Sequence, residues 1–158
     1  MELCKLKNHP GNVKEKNNSK KSLGPLNNLE EHLDSDWWKN IFNSMYLKTD
    51  GDVVNDNNIT SNEIDLIQNI LNLEKENKIL DLSCGHGRHS LELARRGYSN
   101  IEGFDRSRYL IQKAKQQAKK ENLFIKFKEG EARNLTYKPD TFDAILILGN
   151  SFGYFETV

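Results

Sequence analysis

Three carboxylate side chains and one glycine-rich turn are the groups of this chain best suited to binding a ligand. Asp81, Asp105 and Glu131 each stand at or just after the end of a short apolar run. The segment Ser83–Gly87, which reads Ser-Cys-Gly-His-Gly, follows the first run, and its glycines permit positive φ and close approach of the backbone to a ligand. In open α/β sheets, ligands bind at the carboxyl ends of the strands, so we expect these groups to share one site.

The spacing of the acids indicates the kind of ligand. Asp105 lies about twenty residues beyond the glycines, where an acid meets ribose hydroxyls in nucleotide-binding folds, although it can instead cap a helix over residues 107–120. Glu131 can accept from an exocyclic amine while the N–H of Ala132 donates to a ring nitrogen, although alone it reads as a solvated loop acid. Asp81 can receive an ammonium group. Together the acids fit an adenosine that carries an amino-acid side chain.

Two other ligand classes fit the same stretch less well. The dinucleotide fingerprint requires a third glycine where this chain has Ser90, and it does not require an acid at Asp81, so a nicotinamide-dependent oxidoreductase is disfavoured. Cys84, His86 and His89 are residue types that bind metals, but no fourth ligand is evident and a glycine turn leaves little room, so we expect no metal. The sequence contains no cysteine nucleophile or Ser–His pair that indicates covalent catalysis.

Alternating apolar runs and helical segments position these groups. Strands are predicted over residues 78–82, 101–104, 124–127 and 142–148, and helices over residues 87–96 and 107–120. This alternation indicates βαβ units and a parallel sheet. The fourth strand is apolar throughout, which is typical of a strand covered on both faces. We expect its open side to be covered by another chain or by a further part of a longer polypeptide.

Composition divides the chain into three regions. Residues 1–28 are predicted to be a disordered basic tail, residues 29–58 a helical extension and loop, and residues 59–158 the ligand-binding domain. The formal net charge is zero; a basic tail can contact nucleic acid, but a solvated tail is the expectation. Cys4 and Cys84 suggest no disulfide framework, and no apolar run reaches the length of a membrane span, so we expect a cytoplasmic protein.

An aromatic-rich helix is predicted within the extension. It begins at a cap formed by Asp34 or Ser35 and carries apolar side chains at helical intervals. These side chains are Trp37, Trp38, Ile41, Phe42, Met45 and Tyr46. Trp37, Trp38 and Tyr46 can form a lid over the ligand, but an aromatic stripe is more often core, and core is our expectation.

A loop and a second helix separate this extension from the first strand. Residues 48–58 are rich in Asp, Asn and Gly and are predicted to be a loop. The helix is predicted over residues 61–72. Thr60 and Glu63 match a capping box, in which the threonine hydroxyl accepts from the backbone and the glutamate reaches back. Glu63 is therefore assigned a capping role.

Four different short segments follow one another along the chain. They are Asp81-Leu-Ser-Cys-Gly-His-Gly, Gly-Phe-Asp105, Glu-Gly-Glu131-Ala and Phe-Asp143-Ala-Ile-Leu. In this order and spacing they resemble the motifs of class I S-adenosylmethionine-dependent methyltransferases. The resemblance implies an α/β, Rossmann-like fold with strand order 3-2-1-4-5-7-6, of which this chain supplies strands one to four. Ser83 departs from the family, which usually has glycine or alanine there.

The same resemblance implies a role for each motif. In the family the acid at Asp81 lies near the methionine amino group, the backbone over residues 83–87 wraps the methionine and ribose, and Asp105 takes the ribose diol. Glu131 and Ala132 flank the adenine. The predicted cofactor contacts are Asp81, Ser83, Cys84, Gly85, Gly87, Asp105, Arg106, Glu131, Ala132 and Leu148.

The implied reaction is a direct displacement, in which a nitrogen or oxygen nucleophile of a small molecule attacks the sulfonium methyl carbon and S-adenosylhomocysteine leaves. The segment that begins Leu148-Gly-Asn150 is similar to that of glycine N-methyltransferases, so Asn150 and Tyr154 are candidates for orienting the methyl acceptor. Asn150 can instead cap a turn with its own backbone. The alternative to an active enzyme is a truncated, non-catalytic cofactor-binding module, and neither a membrane nor nucleic acid is an expected partner.

Overall fold

The computed structural model describes residues 37–149 and 151. The predicted tail over residues 1–28 and the proposed cap positions Asp34 and Ser35 lie outside the described residues. All statements below refer to the part of the chain that is described.

Helices and strands alternate from the end of the first long helix onwards. The strands are β1 (Ile79–Leu82), β2 (Ile101–Asp105), β3 (Lys126–Glu129) and β4 (Ala144–Ile147). The helices are α1 (Tyr46–Thr49), α2 (Gly51–Val54), α3 (Asn57–Leu71), α4 (Arg88–Arg95) and α5 (Arg108–Lys120), with 3₁₀ turns at Trp37–Lys39 and Ala132–Asn134. Among the described residues, no helix has both the length and the apolar character that crossing a membrane requires.

The four strands form one parallel sheet in the order β3-β2-β1-β4. Leu82 at the end of β1 pairs with Phe104 of β2 on one side and Ile147 of β4 on the other. Because the strands are parallel and in this register, the residues that follow each of them meet at one edge of the sheet. The predicted Rossmann-like α/β class and the strand order 3-2-1-4 are confirmed.

Apolar side chains fill both faces of the sheet around β1 and β2. On one face, α3, α4 and α5 cover the sheet with two apolar clusters that include Ile64, Ile79, Leu93, Ile101, Leu146, Leu91, Ile111, Ala114 and Phe127. On the other face, the segment that joins β3 to β4 covers Leu80, Leu82 and Phe104 with Tyr137 and Phe142. Helix α5 buries its apolar stripe of Leu110, Ile111, Ala114 and Ala118. In α3, by contrast, Ile70 and Leu71 remain 66% and 46% exposed although Ile64 is buried.

Strand β4 differs from the expectation drawn from its sequence. Its apolar run predicts coverage on both faces, yet Ile145 and Ile147 remain 56% and 51% exposed. In the described residues β4 lies at one edge of the sheet and pairs only with β1. Leu146, which faces the helices, is buried as expected.

The predicted start of α3 is wrong by about one turn. The helix begins at Asn57, and Asp56 is its cap: its side chain accepts from the N–H groups of Asn58 and Ile59 at 2.7 and 3.2 Å. An aspartate at the cap position satisfies these otherwise unpaired donors with its side chain, so it takes the place that the sequence pattern assigns to Thr60. Glu63 therefore does not cap α3, and the capping role that the sequence suggested for it is wrong.

Three further boundaries depart from the sequence-based expectations. The aromatic-rich segment is not one helix but a 3₁₀ turn at Trp37–Lys39, irregular turns, and the short α1. The loop expected over residues 48–58 contains α2 and the first residues of α3. Strand β3 begins at Lys126 and not, as predicted, at Phe124: Phe124 is not paired with β2 and is 92% exposed.

Phe127 of β3 packs where two glycines leave room beneath the glycine-rich turn. A Cβ added to Gly103 in β2 would lie 2.5 Å from Phe127 Cδ1 and 3.0 Å from Cys84 Sγ. A Cβ added to Gly87, at the start of α4, would lie 2.8 Å from Phe127 Cζ. The ring therefore supports the turn from below, and its position depends on both glycines.

We predict that Gly103→Ala destabilises the protein by about 1–3 kcal/mol, because the added methyl overlaps Phe127 in a filled core. Urea unfolding followed by circular dichroism measures this cost. Combining Gly103→Ala with Phe127→Leu should cost less than the sum of the single changes, since the smaller side chain relieves the overlap. Strict additivity would contradict this account of the packing.

Candidate functional site

A cavity of about 710 Å³ opens at the carboxyl ends of β1, β2 and β4. This volume lies within the range of small-molecule sites, roughly 300–1,000 Å³. Its walls include all the predicted contacts except Asp81 and Gly87, namely Ser83, Cys84, Gly85, Asp105, Arg106, Glu131, Ala132 and Leu148. The substrate-orienting candidates Asn150 and Tyr154 lie outside the described residues.

The turn after β1 is held in a left-handed conformation along most of its length. Gly85 has φ +57° and Gly87 has φ +81°, as the glycine pattern predicts. Ser83 also has φ +61°, which is uncommon for a residue with a side chain. Serine at this position therefore has a conformational cost that glycine would not have. Gly85 lines the cavity, whereas Gly87 packs against Phe127 and Ala114 underneath.

Asp105 joins this turn to the end of β2. Its Oδ2 accepts the N–H of Gly85 at 2.8 Å, and its Oδ1 accepts the N–H of Ser107 at 2.7 Å. The cap of α5 is Ser107, whose hydroxyl accepts from Leu110 N–H at 3.2 Å, so Asp105 is not needed for capping. Burial raises the pKa of Asp105, opposed by those two backbone hydrogen bonds. Each carboxylate oxygen retains a lone pair that can accept from a ligand hydroxyl.

Asp81 lies below the cavity instead of in its wall. It is 1% exposed, and its Oδ2 accepts the hydroxyl of Ser90 at 2.6 Å. Burial raises the pKa of Asp81, while the hydrogen bonds from Ser90 act in the opposite direction. Ser90 stands where the dinucleotide fingerprint has its third glycine, and it donates a hydrogen bond to Asp81, an acid that the fingerprint does not require.

Glu131 lies between two arginines at the far end of the cavity. Its carboxylate is 3.4 Å from Arg106 Nε and 3.1 Å from Arg133 Nε. The hydrogen bond from Arg133 lowers the pKa of Glu131, so the group is anionic at neutral pH. Ala132 follows it in the cavity wall, as the adenine-recognition pattern requires.

A second polar cluster, which sequence reasoning missed, also lines the cavity. Glu63 of α3 accepts from Arg88 and lies 2.8 Å from His89 Nε2, and Arg88 also donates to Thr60 at 3.0 Å. Burial alone would raise the pKa of Glu63, but the hydrogen bonds from Arg88 and His89 outweigh it and lower that pKa. About 25 residues separate these partners, so no local pattern reveals the cluster.

The three residues considered as metal ligands, Cys84, His86 and His89, each have different surroundings. Cys84 packs in the apolar cluster, and burial, followed by the charges of Asp81 and Asp105, raises the pKa of its thiol well above the usual range. His89 contacts Glu63. Burial lowers the pKa of His86, against a hydrogen bond with the Val54 backbone, so His86 is neutral near pH 7. In the described part of the chain, no group of three or more His, Cys, Asp or Glu side chains is placed to hold a metal ion.

The aromatic segment contributes to the cavity wall, and the expectation that its stripe belongs to the core is met at Trp38, which is buried, but not at Trp37, Phe42 or Tyr46. Trp38, Phe42 and Tyr46 line the cavity, whereas Trp37 and Met45 are 39% and 61% exposed. The helical spacing was misleading because the segment is mostly turns, so residues three or four apart do not share a helix face.

Comparison with known protein families agrees with this geometry. Residues 79–158 match the family model described as a methyltransferase domain. Since this match covers half of the chain, the chain belongs to that methyltransferase family, of the class that uses S-adenosylmethionine.

Individual relatives are similar over part of their length. The chain is 26% identical over 123 residues to the glycine/sarcosine N-methyltransferase of Aphanothece halophytica, covering 77% of this chain and 46% of the relative. It is 33% identical over 84 residues to the glycine N-methyltransferase of Rattus norvegicus, covering 49% of this chain and 29% of the relative. The chain thus spans less than half the length of these curated relatives.

A solved structure shows the same fold. The S-adenosylmethionine-dependent methyltransferase of Clostridium acetobutylicum superposes with a TM-score of 0.51 at 25% identity, covering 64% of this chain and 39% of that protein. The cavity fits the cofactor of the family. Gly85 leaves space where its backbone meets the cavity, with the nearest atom to an added Cβ at 3.9 Å, and Asp105 and Glu131 present acceptors along one wall.

We predict that Asp81→Asn gains stability relative to the wild type as the pH rises from about 4 to 7. Because burial raises the folded-state pKa of Asp81, its contribution to stability is present below the unfolded pKa of about 3.9 and is lost as the pH rises through the folded value. Asparagine does not ionise, so the Asp81→Asn protein does not lose stability through this group as the pH rises. Thermal unfolding across this pH range measures the gap between the two proteins.

The exposed Asp140 provides the control, since its positive φ of +56° also suits asparagine. Asp140→Asn should follow the wild type at every pH. A difference between Asp81→Asn and the wild type that stays constant with pH would contradict the assigned effect of burial.

Proposed function

We propose that the intact protein transfers a methyl group from S-adenosylmethionine to a nitrogen or oxygen nucleophile of a small molecule by direct displacement. The observation that carries the proposal is the hydrogen bond between Asp105 and Gly85 at the cavity edge. It fixes a partly buried acceptor beside a glycine turn, at the carboxyl end of a parallel sheet, in a chain of the methyltransferase family.

Each predicted contact has a proposed task. Asp105 accepts the ribose hydroxyls, and Glu131 with the Ala132 N–H receives the adenine. The turn over residues 83–87 surrounds the methionine part, with Asp81 providing negative charge from below the floor. Arg106 and Leu148 complete the wall. When bound, the sulfonium supplies the methyl group; the chain supplies orientation and excludes water.

The proposed acceptor site is the half of the cavity around the Glu63 cluster. Glu63 and Arg88, the neutral His86 and the hydroxyl-bearing Tyr46 line this half and offer both donors and acceptors to a small polar molecule. Two relatives are named as glycine N-methyltransferases, which supports an amine acceptor. Asn150 and Tyr154 remain the proposed orienting residues.

A non-catalytic cofactor-binding module is the second candidate. Binding of S-adenosylhomocysteine without transfer of a labelled methyl group from S-adenosylmethionine to any amine or hydroxyl acceptor offered would support this candidate over the enzyme.

We predict that the chain binds S-adenosylhomocysteine and that Asp105→Asn weakens this binding by about tenfold to a hundredfold, because a hydrogen bond to a charged group contributes about 1.5–3 kcal/mol. Calorimetric titration measures both affinities, and circular dichroism checks that the variant is folded. Asp140→Asn is the matched control and should bind as the wild type does.

The same titration with NAD tests the rival assignment. A chain that bound NAD but not S-adenosylhomocysteine would overturn the proposed function. Equal affinity of the wild type and Asp105→Asn for S-adenosylhomocysteine would remove the ribose role of Asp105 while leaving the cofactor assignment in place.

We also propose that this chain self-associates through β4. In the described residues β4 lies at the edge of the sheet, and Ile145 and Ile147 are more than half exposed beside it. An apolar edge strand is a template for pairing with another chain. A second copy would cover both the edge and these two side chains.

We predict that light scattering detects species larger than a monomer, whose proportion grows with concentration, and that Ile147→Lys reduces it because a charged side chain blocks edge pairing. Leu66→Lys, which replaces an equally exposed apolar side chain on α3, is the control and should leave association unchanged. A wild-type chain that stays monomeric would refute this proposal.

A further inference from the structure

We infer that Arg88 binds the carboxylate at the methionine end of the cofactor. This inference rests on the proposed function and deepens it, because the methionine end carries both an ammonium group and a carboxylate. Asp81 offers negative charge to the ammonium, whereas the turn over residues 83–87 contains no Lys or Arg for the carboxylate. A carboxylate that leaves water for a protein cavity needs a cationic or hydrogen-bonding partner. Arg88 follows this turn directly and lines the cavity.

Two side chains of α3 hold one nitrogen of the Arg88 guanidinium. Its Nη1 donates to the Glu63 carboxylate and, at 3.0 Å, to the hydroxyl of Thr60. These two hydrogen bonds use both hydrogens of Nη1 and tie the guanidinium to a neighbouring helix. Arg88 is therefore oriented in the folded protein before a ligand arrives, which lowers the ordering that binding requires.

The rest of the guanidinium is available to a ligand. An arginine has three further N–H donors, two on Nη2 and one on Nε. Within residues 37–149 and 151, neither of these nitrogens of Arg88 makes a hydrogen bond, and neither is fully buried. Nη2 and Nε can donate side by side to both oxygens of one carboxylate, the pairing to which a guanidinium is best suited. The Arg88 side chain is only 12% exposed, so water screens such a pair weakly.

The other Lys and Arg side chains of the cavity wall are placed differently. They are Lys39, Arg106 and Arg108. Arg106 lies 3.4 Å from Glu131 at the proposed adenine end. Arg108 pairs with Glu129 at 2.9 Å, and its side chain is 76% exposed. Lys39 belongs to the aromatic segment. Among the described cavity-lining residues, Arg88 is thus the cation next to the proposed methionine turn.

Two ligands that differ by one group test this contact. S-adenosylhomocysteine carries the carboxylate, and its decarboxylated analogue keeps the adenosine, the thioether and the amine. We expect the wild-type chain to bind S-adenosylhomocysteine roughly tenfold to a hundredfold more tightly than the analogue, because the analogue lacks the acceptor of the charged hydrogen bonds. Calorimetric titration of the full chain measures both affinities without requiring catalysis.

Substitutions of arginine assign the preference to one side chain. Arg88→Gln should abolish the preference by weakening S-adenosylhomocysteine alone, and Arg88→Lys should keep only part of it, because an ammonium lacks the paired donors. Arg96→Gln is the matched control. Arg96 also joins the end of α4 to α3, donating from Nη2 to the Ser61 carbonyl at 2.9 Å, but it lies outside the cavity wall. Arg96→Gln should therefore keep the wild-type preference.

Three results would overturn the inference and leave the proposed function standing. They are equal affinity of the wild type for both ligands, an unchanged preference in folded Arg88→Gln, and equal weakening of both ligands in Arg88→Gln, which would give Arg88 a purely structural role. If Arg88→Gln does not fold, Arg88→Lys decides, since a full wild-type preference there would exclude the paired hydrogen bonds. A wild-type chain that bound neither ligand would overturn the proposed function and this inference together.

Discussion

The hydrogen bond between the Gly85 N–H and the Asp105 carboxylate is the contact on which the rest of the site depends. It exists because β1 and β2 are parallel and in register, so that Leu82 pairs with Phe104 and the next residues of both strands leave the sheet side by side. The same carboxylate holds the Ser107 N–H, and Ser107 in turn caps α5 and fastens the aromatic segment. One acid thereby connects a turn, a strand, a helix and a cavity wall.

This arrangement requires buried carboxylates, and their burial is costly for the ionised form. The pKa values of Asp81 and Asp105 are both raised by burial, whereas those of Glu63 and Glu131, which pair with cations, are lowered. Carboxyl groups whose pKa is shifted by burial in a sheet-end crevice are typical of functional sites. Of these two acids, Asp105 lies in the cavity wall and is the one that can accept directly from a ligand.

The sequence was sufficient to predict the sheet and the part of the cavity wall that directly follows its strands, because both follow from short-range patterns. Short apolar runs located the strands, and parallel order brought the residues that follow them together. The prediction was wrong at the start of α3, where Asp56 and Thr60 both offered a helix cap. It was also wrong in the aromatic segment, where side-chain spacing suggested one helix but the backbone forms mostly turns. Glu63 was misassigned because its true partners, Arg88 and His89, lie on another helix.

The cavity wall is formed by two regions of the chain, one inside the family match and one before it. Family membership can therefore predict only part of the wall. The matched region begins at residue 79 and contains every residue proposed to hold the cofactor's ribose and methionine. Trp38, Phe42 and Glu63 precede that region, yet they line the same cavity. A family motif therefore predicts the cofactor, whereas the opposite wall follows only from how the preceding segment packs on Ser107 and Arg88. The proposed acceptor site draws on both walls, since Glu63 comes from the preceding segment and its partner Arg88 from the matched region.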